Sequence, residues 1–260
     1  MTGGGARCAD GGIIVFAGPS LPPRLRPADP RLDWRPPAVA GDALMAKPSR
    51  PSAVVLIDGL FDEWPAIRHK ELLSLISDGV PVFGGASMGA LRAAELHTLG
   101  MIGVGHIFDA YRRGLIDADD EVAVLHGPAS FDWSPLTEPL VNVRATLLHA
   151  VRRRVIAGPE ARRLLGAARS IFYKYRTWTE VLNAGEATGA IRPERIGRFQ
   201  AWLPGGYIDL KRRDAVACVE AALRHGSAIG RSRARPPDTF FSALLAEQVA
   251  GGVKPPVECL

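Results

Sequence analysis

A serine lies where a short apolar run gives way to a helical pattern. Residues 80–96 read VPVFGGASMGALRAAEL, which predicts a strand, a tight turn at the glycines and then a helix. Gly85-Ala86-Ser87-Met88-Gly89 fits G-x-S-x-G, a turn that projects a serine hydroxyl where a helix begins. The first amides of such a helix lack intrahelical partners, so they can hold an oxyanion. Ser87 is therefore a candidate nucleophile, with a helix-capping serine as the alternative.

A serine nucleophile needs a base, and the sequence leaves its identity open. One candidate is Lys70, which lies with His69 on the helix that leads into the strand before Ser87. A lysine base must be neutral, and this requires burial or a neighbouring cation. Helical periodicity places Lys70 outside the apolar arc and His69 at its edge, so both also fit a surface role. A triad with any histidine is possible as well: His69, His97, His106, His126, His149 or His225.

Three apolar runs predict the strands that position Ser87: residues 12–16, 53–57 and 80–83. Residues 19–51 hold nine of the 21 prolines, so this crossover is expected to be irregular except for a short helix at 42–46. Strands buried on both faces and joined by crossovers indicate a parallel sheet. Ligands gather at the carboxyl ends of such strands. That edge would bring together residues 18–20, Asp58, Gly59 and Ser87.

The second half of the chain has a different pattern. A fourth strand is predicted at 121–125, and helices are predicted at about 134–156, 159–171, 177–183, 193–202, 209–225 and 238–249. The predicted fold class is α/β: a small parallel sheet flanked by helices, followed by an α-helical subdomain. We expect a disordered tail at 1–11, an α/β core at 12–133 and a helical subdomain at 134–260 packed on that core.

Composition excludes several classes of protein. The 260 residues are 47% hydrophobic and 23% charged, which is typical of globular proteins, and no apolar run is long enough to cross a membrane. No signal peptide is apparent, so we expect a cytoplasmic protein. The three cysteines are too scattered for a disulfide framework or a metal knuckle. The aspartates of residues 117–120 fit a solvated turn better than a calcium loop. Neither a metal nor a cofactor is expected.

The basic residues are concentrated in one region. Residues 151–235 contain 18 Lys and Arg against 7 Asp and Glu, and the remainder contains 14 against 20. These charges fit an acidic protein partner or solvated helix faces. Few aromatic residues are interleaved with them and no nucleic-acid motif is present, so nucleic acid is not an expected partner.

Ordered blocks across residues 12–150 form a wider pattern, and they include Phe16-Ala17-Gly18-Pro19-Ser20-Leu21, Ile57-Asp58-Gly59, His69-Lys70-Glu71 and residues 83–96, 119–124, 126–128 and 141–146. Together these blocks resemble the TfuA-like core domain. TfuA proteins accompany YcaO enzymes, which activate a peptide-backbone amide so that sulfide replaces its oxygen. The resemblance implies three partners: a YcaO-type enzyme, its precursor peptide and a thiocarboxylated ubiquitin-like sulfur carrier. It implies that the chain hydrolyses the thiocarboxylate and releases sulfide.

The resemblance also implies a Ser-Lys pair, which we assign to Ser87 and Lys70, with Ser20 as the alternative serine. Ser87 would attack the thiocarboxylate carbonyl, and the amides of Met88 and Gly89 would hold the oxyanion. Four side chains are expected to orient the pair or tune the lysine: Asp58, His69, Arg92 and Glu95.

Two other functions remain open. The chain could be a non-catalytic adaptor that docks a YcaO enzyme and its peptide through the helical half. It could also be a serine esterase of small molecules, although too few strands precede Ser87 for an α/β-hydrolase fold.

Overall fold

Short apolar runs form a parallel sheet of five strands. The computed structural model describes residues 11–60 and 64–225, so the predicted tail before residue 11 and the predicted helix at 238–249 lie outside the described residues. The strand order is β2-β1-β3-β4-β5, and every neighbouring pair is parallel. The strands are β1 (Ile13–Phe16), β2 (Leu32–Arg35), β3 (Ala53–Leu56), β4 (Val82–Gly85) and β5 (Ile102–Val104).

The three predicted strands are the three central ones, and their neighbours were missed. β2 and β5 lie at the two edges of the sheet, and neither is a continuous buried run: β2 buries only Leu32, and β5 is half-buried throughout. Edge strands have one unpaired side and therefore need less apolar sequence. The predicted strand at 121–125 is wrong. A 3₁₀ turn at Asp119–Glu121 is followed by irregular backbone, because no strand of the sheet lies beside it.

Nine α-helices are present in the described residues, and most follow the predicted pattern. The short helix α1 occupies the predicted range, whereas α2 begins four residues after Pro65 and α5 begins at Leu140 rather than near 134. The helices are α1 (Asp42–Ala46), α2 (His69–Ser77), α3 (Met88–Leu96), α4 (His106–Arg112), α5 (Leu140–Arg152), α6 (Gly158–Ser170), α7 (Trp178–Ala187), α8 (Pro193–Gly206) and α9 (Leu210–His225). None of these helices has the length and apolar character needed to cross a bilayer.

Three apolar clusters divide the core. Helices α1 to α4 cover one face of the sheet, while α5 to α8 pack mainly on one another in a separate cluster. The other face of the sheet is covered by α9, which returns from the helical half and buries Ala215, Cys218, Val219 and Ala222 against β1, β3 and β4. Because α9 crosses the sheet, its first turn lies near the carboxyl ends of the central strands.

Candidate functional site

The turn before α3 is strained and presents Ser87 at the start of the helix. Ala86 has φ of 65°, in the left-handed region that alanine adopts at a cost of roughly 1–2 kcal/mol. Ser87 occupies the N-cap position, yet its side chain makes no capping hydrogen bond. Strained backbone conformations of this kind are concentrated at active sites and ligand-binding turns. The structure therefore provides no support for Ser87 as a capping residue.

Ser87 lines a cavity of about 460 Å³ at the carboxyl edge of the sheet. The turns after β1, β3 and β4 all contribute to its lining through Pro19, Asp58 and Ser87, as expected for ligand sites in parallel sheets. Ser87 itself is only 3% exposed. The remaining lining residues are Gly59, Leu60, Trp64, Val122, Ala123, Val124, Leu125, His126, Gly127, Pro128, Trp133, Tyr173, Lys174 and Lys211.

The buried lysine of this cavity is Lys211, in the first turn of α9. Its side chain is almost fully enclosed, at 4% exposure for the residue, and Nζ donates a hydrogen bond of 2.7 Å to the carbonyl oxygen of Val122. Burial lowers the pKa of Lys211 below its ordinary value of 10.5, and the nearby carboxylates of Asp58 and Asp209 oppose that shift. Lys211 thus has the burial that a lysine base requires, whereas Lys70, to which the resemblance assigned that role, is exposed.

A buried asparagine fixes the backbone that carries Lys211. The Oδ1 atom of Asn142 accepts hydrogen bonds from the amides of Leu210 (2.9 Å) and Lys211 (3.1 Å). Its Nδ2 donates to the Tyr207 hydroxyl at 2.8 Å, and that hydroxyl donates to Glu138 at 2.8 Å. Asn142 therefore caps α9 from α5 and satisfies amides that would otherwise be unpaired. The sequence resemblance includes Asn142, but no signal in the sequence linked it to Lys211.

Asp58 organises the turn on the other side of the cavity. Its Oδ2 accepts hydrogen bonds from the amides of Gly18 (2.8 Å) and Ser20 (3.0 Å), and its Oδ1 accepts one of 2.6 Å from the Ser20 hydroxyl. Asp58 thereby joins the turns after β1 and β3. Ser20, the alternative serine, has its hydroxyl committed to this carboxylate and does not line the cavity.

Lys70 and three of the predicted supporting residues lie elsewhere. Lys70 is exposed in the first turn of α2 and is not a lining residue. The Oε2 atom of Glu95 lies 2.7 Å from both His69 Nε2 and Arg92 Nη1. These contacts form a surface cluster that joins α2 to α3. None of the three lines the cavity. Of the predicted base and its supporting residues, only Asp58 lines the cavity, whereas Lys174 and Lys211 are the lysines that line it.

One of the two predicted oxyanion amides is already engaged. The Gly89 amide donates to the carbonyl oxygen of Ile57 at 3.1 Å, so Gly89 is corrected to a packing role. The Met88 amide donates to no group in the described part of the chain. A single amide beside Ser87 thus remains for an oxyanion.

His126, one of the six histidines considered for a triad, is a further polar residue of the cavity. Among the described histidines it alone lines the cavity, with Nδ1 2.9 Å from the Gly127 carbonyl oxygen. The acidic turn at 117–120 is tied to the protein through Asp120, which pairs with the fully buried Arg176 at 2.8 Å. Within residues 11–60 and 64–225, no three His, Cys, Asp or Glu side chains are grouped to hold a metal ion.

Residues 58–177 match the family model described as TfuA-like protein. This range includes Asp58, Ser87, His126 and Asn142 and ends before Lys211. A comparison with curated proteins gave no match. The match agrees with the resemblance noted in the sequence.

Proposed function

We propose that this chain, which is TfuA-like over residues 58–177, hydrolyses the thiocarboxylate of a ubiquitin-like sulfur carrier and releases sulfide for a YcaO enzyme. Ser87 is the nucleophile and Lys211 is its base. The observation that carries the proposal is the shared cavity, in which an uncapped serine on a strained turn and a buried lysine are both lining residues. The proposed cellular setting is the cytoplasm.

Burial equips Lys211 for this role. A protonated amine cannot accept a proton, and an enclosed position with a lowered pKa favours the neutral amine. The amine can then take the proton from the Ser87 hydroxyl as the oxygen attacks the carbonyl carbon. The Met88 amide lies at the start of α3 beside Ser87, where it stabilises the negative charge that develops on the carbonyl oxygen.

The reaction then proceeds in two balanced halves. The carbon–sulfur bond breaks, the proton held by Lys211 passes to sulfur, and hydrosulfide leaves an ester between Ser87 and the carrier. Water attacks that ester while Lys211 accepts its proton, and the proton returns to the Ser87 oxygen as the carrier's carboxylate departs. The second proton of the water is lost to solvent when the new carboxyl group ionises. The net change is addition of water and release of hydrosulfide and one proton, with no oxidant or reductant required.

The test compares three variants on a thiocarboxylated ubiquitin-like carrier, with sulfide release as the measurement. We expect Ser87→Ala and Lys211→Met each to lower kcat/KM by at least about a hundredfold, since each removes a group that acts only during reaction. Lys70→Ala is the matched lysine control and should retain nearly full activity, because Lys70 is exposed outside the cavity. Undiminished release by Ser87→Ala would refute the hydrolase.

A non-catalytic adaptor is the second candidate, favoured by the charge of the helical half. Residues 151–225 contain 15 Lys and Arg against 7 Asp and Glu, which suits an acidic protein surface. An adaptor with Ser87→Ala would still stimulate YcaO thioamidation, whether sulfide came from the carrier or was supplied free. A hydrolase variant would lose only the carrier-dependent reaction.

A further inference from the structure

Exposed apolar side chains collect around the cavity. Trp64 and Leu125 are lining residues that remain exposed. Four others adjoin lining residues, and the six together are here named the apolar rim: Trp64, Leu125, Phe131, Leu136, Phe172 and Tyr175. Clustered apolar surface of this kind marks interaction sites, whereas single exposed side chains do not.

Contacts attach the outer members of the apolar rim to the cavity wall. The Leu136 amide donates to the Leu125 carbonyl at 2.8 Å. Phe172 packs edge-on against the lining residue Tyr173, with ring centroids 4.7 Å apart. Phe131 and Tyr175 are each 70% exposed, although aromatic side chains gain most from burial. These rings are therefore placed to be covered by a ligand that extends out of the cavity.

The charges in the cavity favour an anionic end on that ligand. Among the described residues, two lysines, Lys174 and Lys211, line it beside one carboxylate, Asp58. The Asp58 carboxylate is already supplied with three hydrogen bonds from the turn after β1. An incoming carboxylate or thiocarboxylate can pair with the Lys174 ammonium and accept a hydrogen bond from the neutral amine of Lys211.

The wall at residues 123–126 offers main-chain groups to an extended ligand. The amides of Ala123, Val124 and His126 donate to no acceptor within the described residues. Amides of this kind normally find partners. On one side of this segment, residues 125–127 form a short antiparallel bridge with residues 134–136, and the amides of Ala123, Val124 and His126 take no part in its hydrogen bonds. An extended peptide can add itself to such an edge through main-chain hydrogen bonds.

We propose that this site binds the extended carboxyl-terminal segment of a partner protein. The terminal anion enters the cavity, apolar residues upstream of it cover the apolar rim, and the peptide main chain pairs with residues 123–126. The inference rests on the proposed function and deepens it, because it assigns the surface that holds the carrier's tail.

Binding is tested with the Ser87→Ala chain and fluorescein-labelled synthetic peptides that end in an ordinary carboxylate. The apolar peptide Leu-Val-Leu-Ala-Gly should bind at least tenfold more tightly than Ser-Asn-Ser-Ala-Gly. Amidation of its carboxyl end, or N-methylation of its central amide, should each weaken binding by at least tenfold. Equal affinities across these four peptides would overturn the inference.

Variants in the apolar rim show whether the preference arises there. The double variant Phe131→Ser and Tyr175→Ser should reduce the apolar preference at least threefold. The control is Leu148→Ser, since Leu148 is 58% exposed on α5 and is not a lining residue. An unchanged preference in the double variant, or an equal loss in the control, would overturn the assignment.

These experiments need no turnover, so the two proposals can fail separately. If the peptides bind as expected and the unmodified chain releases no sulfide from the thiocarboxylate form of the apolar peptide, only the hydrolase fails. If sulfide is released with the same kcat/KM from the apolar and polar thiocarboxylates, only the binding inference fails.

Discussion

The amine of Lys211 lies in a buried position, where the loss of hydration makes a positive charge unfavourable. The residue is buried and Nζ has a main-chain carbonyl as its hydrogen-bond acceptor. A carbonyl accepts a hydrogen bond from either protonation state, so burial decides the balance and lowers the pKa of Lys211. Folding therefore favours release of a proton from this side chain.

This burial predicts a pH dependence of stability. Between the lowered pKa of the folded chain and the ordinary value of 10.5, the unfolded chain binds a proton that the folded chain does not. The free energy of unfolding should consequently rise with pH across that window, by roughly 1.4 kcal/mol for each unit by which the pKa is lowered. Urea unfolding at pH 7, 8, 9 and 10 measures the rise, and Lys211→Met provides the reference without the amine.

The quantity to compare is the difference in the free energy of unfolding between the unmodified chain and Lys211→Met, because the two chains share their other titrating groups. We expect Lys211→Met to have its greatest relative stability at the lower pH values. A difference that stays constant from pH 7 to pH 10 would show that the buried amine keeps its ordinary pKa.

At the scale of residues, the sequence predicted those parts of the site that follow directly from a strand. Ser87 and Asp58 lie two residues after the ends of β4 and β3, so predicting the strands also predicted where both residues lie. Lys211 reaches the cavity only because α9 packs across the sheet, and no local pattern reports such a distant contact. Periodicity had already placed Lys70 outside the apolar arc, and the exposed position of Lys70 agrees with that pattern rather than with its assignment as base.

Helix α3 approaches β3 more closely than a side chain would allow. A Cβ atom added at Gly89 would overlap the Leu56 carbonyl, and the Gly89 amide bonds to the neighbouring Ile57 carbonyl. Glycine at this position therefore allows α3, with Ser87 at its start, to pack directly against the backbone at the end of β3.

Substitution of Gly89 tests this close approach. Gly89→Ala should lower the free energy of unfolding by about 2–3 kcal/mol, because backbone must move to admit the methyl group. Gly197→Ala is the control: Gly197 lies in α8 with open space around its Cα, so alanine should stabilise by about 0.5–1 kcal/mol. Denaturant unfolding measures both, and equal effects would contradict the packing argument.

At the scale of elements, burial explains which predictions succeeded. Strands β1, β3 and β4 are buried along their whole length, which gives them continuous apolar runs. Helix α5 begins later than predicted because residues before Leu140 form turns and a loop that pair with other segments, such as Glu138 with Arg176. Helical spacing of apolar residues continued through that loop and could not mark the boundary.

The whole molecule is closed by α9, which completes one face of the sheet and brings in Lys211. Cys218 lies in the middle of this contact, fully buried, and burial raises the pKa of its thiol. A thiol in that environment reacts only when α9 separates from the sheet.

Thiol labelling therefore reports on the docking of α9. In a chain with Cys8→Ser and Cys259→Ser, we expect Cys218 to react with a disulfide reagent at least a hundredfold more slowly than in urea-unfolded chain. Adding Asn142→Ala should speed labelling, because the cap that joins α5 to α9 is lost. Asn183→Ala, at an exposed position of α7, is the matched control. Rapid labelling of the parent chain would contradict a firmly docked α9.

The position of Lys211 in α9 also has a consequence for biosynthesis. A ribosome has already made Ser87, all five strands and helices α1 to α8 before it reaches the amine that we assign as base. Under the proposed mechanism, the nucleophile therefore emerges long before its base, and we expect a nascent chain to release no sulfide until α9 packs on the sheet. We likewise expect a chain that ends before α9 to be inactive rather than to be an unregulated hydrolase.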